Sequence, residues 1–125
     1  MLNNASFRLK VLGSQQWDSE DDNVDVEVKF EDGSRFTATF FTLRNLHSLF
    51  EKNKRTGECQ KGTYLWATEM IVVEQLDERT MEMTVRGLLE DGEFSSAFTR
   101  VPNIAHTVKR VSEIAATDDV IEGER

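Results

Sequence analysis

Residues able to do chemistry are few in this chain: one cysteine, Cys59, and two histidines, His47 and His106. A nucleophilic thiolate needs a base beside it and a third group that orients the base. Cys59 and His47 are the only pair of suitable types, and no third residue is identifiable. Neither histidine belongs to a His-x-x-x-His pair or a Glu-flanked zinc motif, so metal catalysis is disfavoured. Gly57 and Gly62 lack the Gly-Lys-Ser/Thr ending of a phosphate loop and read as loop punctuation. His47, beside the apolar stripe of the first helix, reads as a packing residue or a solvent contact, His106 as a surface residue and Cys59 as a partly buried structural thiol. The expectation is a non-enzymatic protein with no cofactor and no metal.

Glu69 is the carboxylate whose position raises a question. In a regular strand it shares a face with Leu65, Ala67, Ile71 and Val73, a row on which a carboxylate loses hydration. Three outcomes are open. A bulge near Thr68 turns it outward, an internal partner such as Arg44 or a backbone cap satisfies it, or it serves a ligand in a cleft with Arg44, Cys59 and Tyr64. Tyr64 and Trp66 fall on the opposite row. Core burial is the favoured place for Trp66, although the polar handles of both also suit the rim of an interface.

These residues must be positioned by the stretch 63–74, read as a central strand. Met70, Ile71, Val72 and Val73 form an unbroken, β-branched apolar run, which predicts burial on both faces. The arrangement of the chain and the choice of interaction surface both hang on that burial. Before it, Phe7, Leu9 and Val11 alternate with Arg8 and Lys10 as a half-buried strand ended by Gly13. Trp17 is the only large apolar group of the acidic connection that follows and pins it to the core.

Val24 to Phe30 and Phe36 to Phe40 alternate as two strands around Asp32-Gly33. A two-residue loop would set each apolar row against a polar one. A three-residue loop, Glu31-Asp32-Gly33, pairs Val28 with Phe36, Val26 with Ala38 and Val24 with Phe40, and predicts a G1 bulge with Gly33 at positive φ. Thr42 caps a helix with Leu43, Leu46, Leu49 and Phe50 on one stripe, ending near Asn53. Residues 56–62 read as a loop. Asp77 caps a second helix with Met81, Val85, Leu88 and Leu89 inward, stopped at Gly92; Gly87 inside it predicts close backbone packing. Phe94 to Phe98 reads as a short extended or turn-like piece. Asn103 caps a last helix with Ile104, Val108, Val111 and Ala115 as a narrow stripe.

The expected fold is α+β: a mainly antiparallel sheet of four to five strands, ordered βββαβα(β)α, with helices largely on one face. Residues 1–116 make one domain and 117–125 an acidic mobile tail.

The 125 residues carry a formal net charge of -8, which argues against nucleic acid or anionic membrane and favours a basic protein partner. No apolar run is long enough to span a bilayer, Met1 to Ala5 lacks a signal-peptide core, and a single cysteine agrees with a reducing compartment. A cytoplasmic protein is expected.

Thr56-Gly57-Glu58-Cys59, followed by Gly62, Tyr64, Trp66, Ala67, Glu69 and Met70, resembles a group of small uncharacterised bacterial proteins with a Thr-Gly-Glu-Cys loop and an aromatic-Trp-Ala-Ser/Thr-acid-Met strand. Leu65 stands where that group has a second aromatic. The resemblance implies a bacterial origin and one compact domain, and brings no activity with it.

The function expected is a protein-binding domain, of the kind an immunity-type inhibitor of a basic toxin would be. Asp21, Asp22, Asp25 and Glu27 would steer encounter, with Trp17, Tyr64 or Trp66 as aromatic anchor. The alternatives are a homo-oligomeric structural or regulatory module and a small-ligand binder built on the Arg44, Cys59 and Glu69 cleft.

Overall fold

The computed structural model describes residues 6–102. The predicted last helix, His106 and the acidic tail lie outside the described residues. Five strands and four helices follow in the order β1 (Phe7–Val11), β2 (Asn23–Phe30), β3 (Arg35–Thr42), α1 (Leu43–Thr56), α2 (Glu58–Gly62), β4 (Met70–Val73), α3 (Glu78–Glu90), α4 (Phe94–Ala97) and β5 (Thr99–Val101).

The sheet is mainly antiparallel and the fold is α+β. β1, β2 and β3 form a meander, and β3 then carries β4 parallel and β5 antiparallel. β4 pairs with Thr39 to Thr42 and β5 with Arg35 to Thr37, so these two short strands share one margin of β3 end to end.

The hairpin register follows from its apolar rows. Val28 pairs with Phe36, Val26 with Ala38 and Val24 with Phe40. Gly33 lies at φ 92°, its N–H donates to the Phe30 carbonyl at 2.9 Å, and the Phe30 N–H donates to Ser34 at the same distance. That is the three-residue turn with a G1 bulge.

One face of the meander is the core. Val26, Val28, Phe36, Ala38 and Phe40 meet Met81, Val85 and Leu89 of α3 together with Phe94 and Phe98. Four phenylalanines tie the layers. The rings of Phe94 and Phe98 stack at 4.5 Å, and Phe94 stands edge-on to Phe36 at 5.1 Å and to Phe30 at 5.5 Å. Phe94 opens a short helix instead of the extended or turn-like piece expected, and β5 follows it.

Both long helices are capped as their sequences dictate. The Asn45 N–H donates to Thr42 Oγ1 at 3.0 Å and the Thr80 N–H to Asp77 Oδ1 at 2.7 Å. α3 ends in a Schellman arrangement, with Gly92 N–H donating to Leu89 at 3.2 Å and Glu93 N–H to Leu88 at 2.9 Å. α1 runs through Thr56 to a left-handed Gly57, beyond the end expected near Asn53. Lys54 and Arg55 in its last turn complement the negative helix end and let it continue. The expectation of close packing at Gly87 fails, since a Cβ there would have nothing within 4 Å.

The larger correction concerns residues 70–73. β4 is not central: among the described residues it forms the margin of the sheet, and Val72 is 47% exposed. Pairing sets Ile71 beside Phe40 and Val73 beside Thr42 on the core side, while Met70 and Val72 face away beside Thr39 and Phe41. The apolar run is therefore unevenly covered: Val73 is buried, Met70 and Ile71 are half-buried, and Val72 is exposed although Phe41 beside it is buried. The α+β architecture survives because the β2–β3 hairpin, not β4, carries the core.

Candidate functional site

The stretch before β4 is not strand. Residues 64–67 are irregular, a turn covers Thr68 and Glu69, and Glu69 takes φ 47°. With no ladder to fix alternate rows, Tyr64 and Trp66 swing outward and are 46% and 69% exposed. The expected core burial of Trp66 is thereby overturned. Water takes the place of packing because the chain leaves the sheet before reaching it.

The turn settles the Glu69 question among its open outcomes. Glu69 is half-buried and its carboxylate accepts a hydrogen bond from the Thr99 hydroxyl. Its backbone carbonyl accepts the Thr39 N–H at 3.0 Å. Glu69 thus clips the start of β4 to the start of β5 where the two strands meet on β3, which is a structural task for this carboxylate.

Arg44, Cys59 and Glu69 do not converge. Arg44 lies in the first turn of α1, and Cys59 lies beyond its far end. A helix of 14 residues is about 21 Å long. Arg44 instead faces Glu20 at 3.5 Å and lines a groove of about 660 Å³ with Glu20, Leu43, Val73, Glu74, Gln75 and Thr80. That groove lies beyond the carboxyl ends of the parallel strands β3 and β4, where α1 and α3 begin.

Cys59 sits in a left-handed turn. Cys59, Gln60 and Lys61 take φ of 53°, 54° and 57° within what was expected to be an ordinary loop. Left-handed backbone costs L-residues about 1–2 kcal/mol each. Opposing that cost, the Lys61 N–H donates to Gly57 at 3.2 Å and the Thr63 N–H to Cys59 at 3.0 Å. Lys52 pairs with Glu58 at 3.2 Å. The Thr56 hydroxyl and Lys52 together hold the Glu58 carboxyl below its usual range. Thr56-Gly57-Glu58-Cys59 is a helix-ending turn, and its Thr and Glu bond each other at 2.8 Å. His47 is exposed, so of the two readings open for it, packing residue or solvent contact, it is the second.

The acidic residues divide by role. Asp21 accepts Asn45 Nδ2 at 3.1 Å and Ser48 Oγ at 2.9 Å, tying the first connection to α1. Asp22 Oδ2 accepts the Asp18 N–H at 3.0 Å and organises the connection itself. Asp25 and Glu27 lie on the sheet face opposite the core, where Asp25 accepts the Thr39 hydroxyl at 2.6 Å and Glu27 pairs with Arg35 at 3.2 Å. Trp17 is half-buried and its indole N–H donates to the Leu76 carbonyl at 2.6 Å. It pins the connection, as the sequence indicates, and its polar handle is used internally.

Exposed apolar side chains recur along the stretch that leads into and forms β4. Among the described residues the exposed large apolar side chains are Leu43, Tyr64, Trp66, Val72 and Met83. Tyr64 and Trp66 lead into β4 and Val72 lies on it. Leu43 lines the groove that Val73 also lines. The sequence reading placed Leu43 on the apolar stripe of α1 and Val72 in a strand covered on both faces, and both are overturned, at 62% and 47% exposure. No group of His, Cys, Asp or Glu among the described residues is arranged to hold a metal ion, and no helix among them is long and apolar enough to cross a membrane. Comparison with protein-family models, with curated proteins and with solved structures returned no match.

Proposed function

We propose that the protein is a docking domain that binds another protein through the β4 margin, in the manner of an immunity-type inhibitor. The observation that carries the reading is the run Tyr64, Trp66 and Val72, exposed at 46%, 69% and 47% on one short stretch of chain. Tryptophan and tyrosine at such positions supply large, stiff contact area at low entropic cost, and they dominate the binding energy of many interfaces. Among the described residues β4 has no strand on its outer side, and backbone groups along that edge are ones a partner can use.

A basic partner is favoured. Glu20, Glu69 and Glu74 stand around this margin against Arg44, in a chain of net charge -8. The surface expected from the sequence hung on burial of residues 70–73 and is given up with it: Asp21, Asp22, Asp25, Glu27 and Trp17 are engaged in internal bonds, and of its residues only Tyr64 and Trp66 are kept, now with Leu43 and Val72.

Affinity capture from the source cells with wild type, Trp66→Ala and Val72→Asp tests the proposal. The expected result is a basic protein recovered at low salt with the wild type and lost with both variants, each of which keeps the wild-type melting temperature. Equal recovery by all three, or a partner that ignores both substitutions, would overturn it.

A further inference from the structure

β1 is the other margin of the sheet among the described residues. Its core-side row, Phe7, Leu9 and Val11, is only half-buried, while the residues paired with it, Phe30, Val28 and Val26, are 4%, 0% and 0% exposed. The deficit lies on the outer side. There a groove of about 370 Å³ runs between β1 and α3, lined by Phe7, Leu9, Val11 and Met81 together with Arg8, Glu78 and Glu82, and the Arg86 guanidinium stands over the Phe7 ring at 4.4 Å.

The backbone of β1 faces the same way. The Leu12 N–H donates to the Asp25 carbonyl at 2.9 Å. By the alternation of an antiparallel ladder, the N–H and C=O groups of Phe7, Leu9 and Val11 then point away from β2. On the sheet face opposite the core, Arg8, Lys29 and Arg35 stand in one cross-strand row. Of these, Arg35 is ion-paired, with Glu27.

This pattern chooses the occupant. Two copies of β1 pairing about a two-fold axis would set Arg8 or Lys10 of one beside Arg8 or Lys10 of the other in any register, because the polar side of the strand carries nothing else. A strand bearing carboxylates at those positions meets the opposite charge. On its inner side, apolar residues roof the groove and lysine stems reach Glu78 and Glu82. Such a strand is close to neutral, so the net charge of the domain does not oppose it.

We infer that the β1 margin accepts an extended segment of a partner protein by strand addition, in which glutamate or aspartate alternates with apolar residues and lysine. The site is separate from the β4 margin and does not depend on it.

The probe is the acetylated peptide Lys-Glu-Val-Glu-Val-Glu-Lys, compared with its charge-swapped form Glu-Lys-Val-Lys-Val-Lys-Glu, titrated into the full chain and followed by amide NMR. The first should bind about ten-fold more tightly, the combined effect of two cross-strand charge pairs. It should also slow hydrogen exchange at Leu9 and Val11. Arg8→Glu with Lys10→Glu should reverse the order, and Trp66→Ala should leave it unchanged. No preference between the peptides, shifts that map away from β1, or sensitivity to Trp66→Ala would each overturn the inference. So would Leu9 and Val11 amides already protected in the free protein, which would mean that the chain itself or a second copy covers this margin.

Discussion

At the scale of single residues, the side chains with unusual surroundings are structural. Thr42 is fully buried and its hydroxyl accepts both the Asn45 N–H at 3.0 Å and the Asp22 N–H at 3.3 Å. Thr42→Val keeps the shape and removes the acceptor, leaving two donors short of a partner. It should cost about 1–3 kcal/mol in chemical denaturation. Gly62 is held at φ 78° with space for a Cβ denied by Lys54 Cγ at 2.6 Å and the Phe50 carbonyl at 3.0 Å. Gly62→Ala should therefore destabilise by more than about 1 kcal/mol. Gly13→Ala, at a similar φ with open space around it, should cost less. Asp77 is held below its ordinary value of 3.8 first by the Thr80 N–H and then by the Thr80 side chain. A carboxyl lowered on folding contributes stability above its unfolded pKa and loses it as pH falls through the folded one. Asp77→Ala should thus destabilise fully at neutral pH, with the difference from wild type shrinking as pH drops below 3.8. Thermal unfolding of the two proteins across that range provides the check.

At the scale of elements, legibility followed the number of independent constraints on each segment. The β2–β3 hairpin has two alternating rows and a turn, and requiring paired residues to share a face leaves one register. α1 and α3 each have a cap and a stripe, so their starts were determined by Thr42 and Asp77. β4 offered neither alternation nor a turn. An apolar tetrapeptide reads the same whether covered on both faces or split between a core and water, and the tertiary arrangement alone decides. The left-handed run Cys59 to Lys61 was illegible for a related reason, since no local propensity favours it and it is sustained by hydrogen bonds within the turn and by its packing against α1. The junction of β4 and β5 makes a further prediction. Thr99→Val removes the hydroxyl that Glu69 accepts and should cost about 1 kcal/mol. The Thr39 amide, which donates to Glu69, should then exchange faster while the β1–β2 ladder keeps its protection.

At the scale of the whole molecule, a sheet whose main core lies on one face has β1 and β4 as its two margins among the described residues. The margins differ in chemistry: β4 is lined by tryptophan, tyrosine and valine among carboxylates, and β1 by arginine and lysine over an acidic-walled groove. Net charge and the thin supply of catalytic groups are visible in composition, and the proposal of a protein-binding domain starts from them; Trp66, by contrast, was expected in the core. Composition did not indicate which surface such a domain uses. Exposure of Trp66 follows from the chain leaving the sheet at Thr68, and periodicity extrapolated from Val73 backwards conceals that departure. The proposed docking surface stands or falls with that exposure. Trp17→Phe leaves Trp66 as the only indole, and its emission and quenching by acrylamide report its surroundings directly. The spectrum should be that of a solvated indole, quenched as readily as in the unfolded chain; a blue-shifted emission shielded from the quencher would contradict the account.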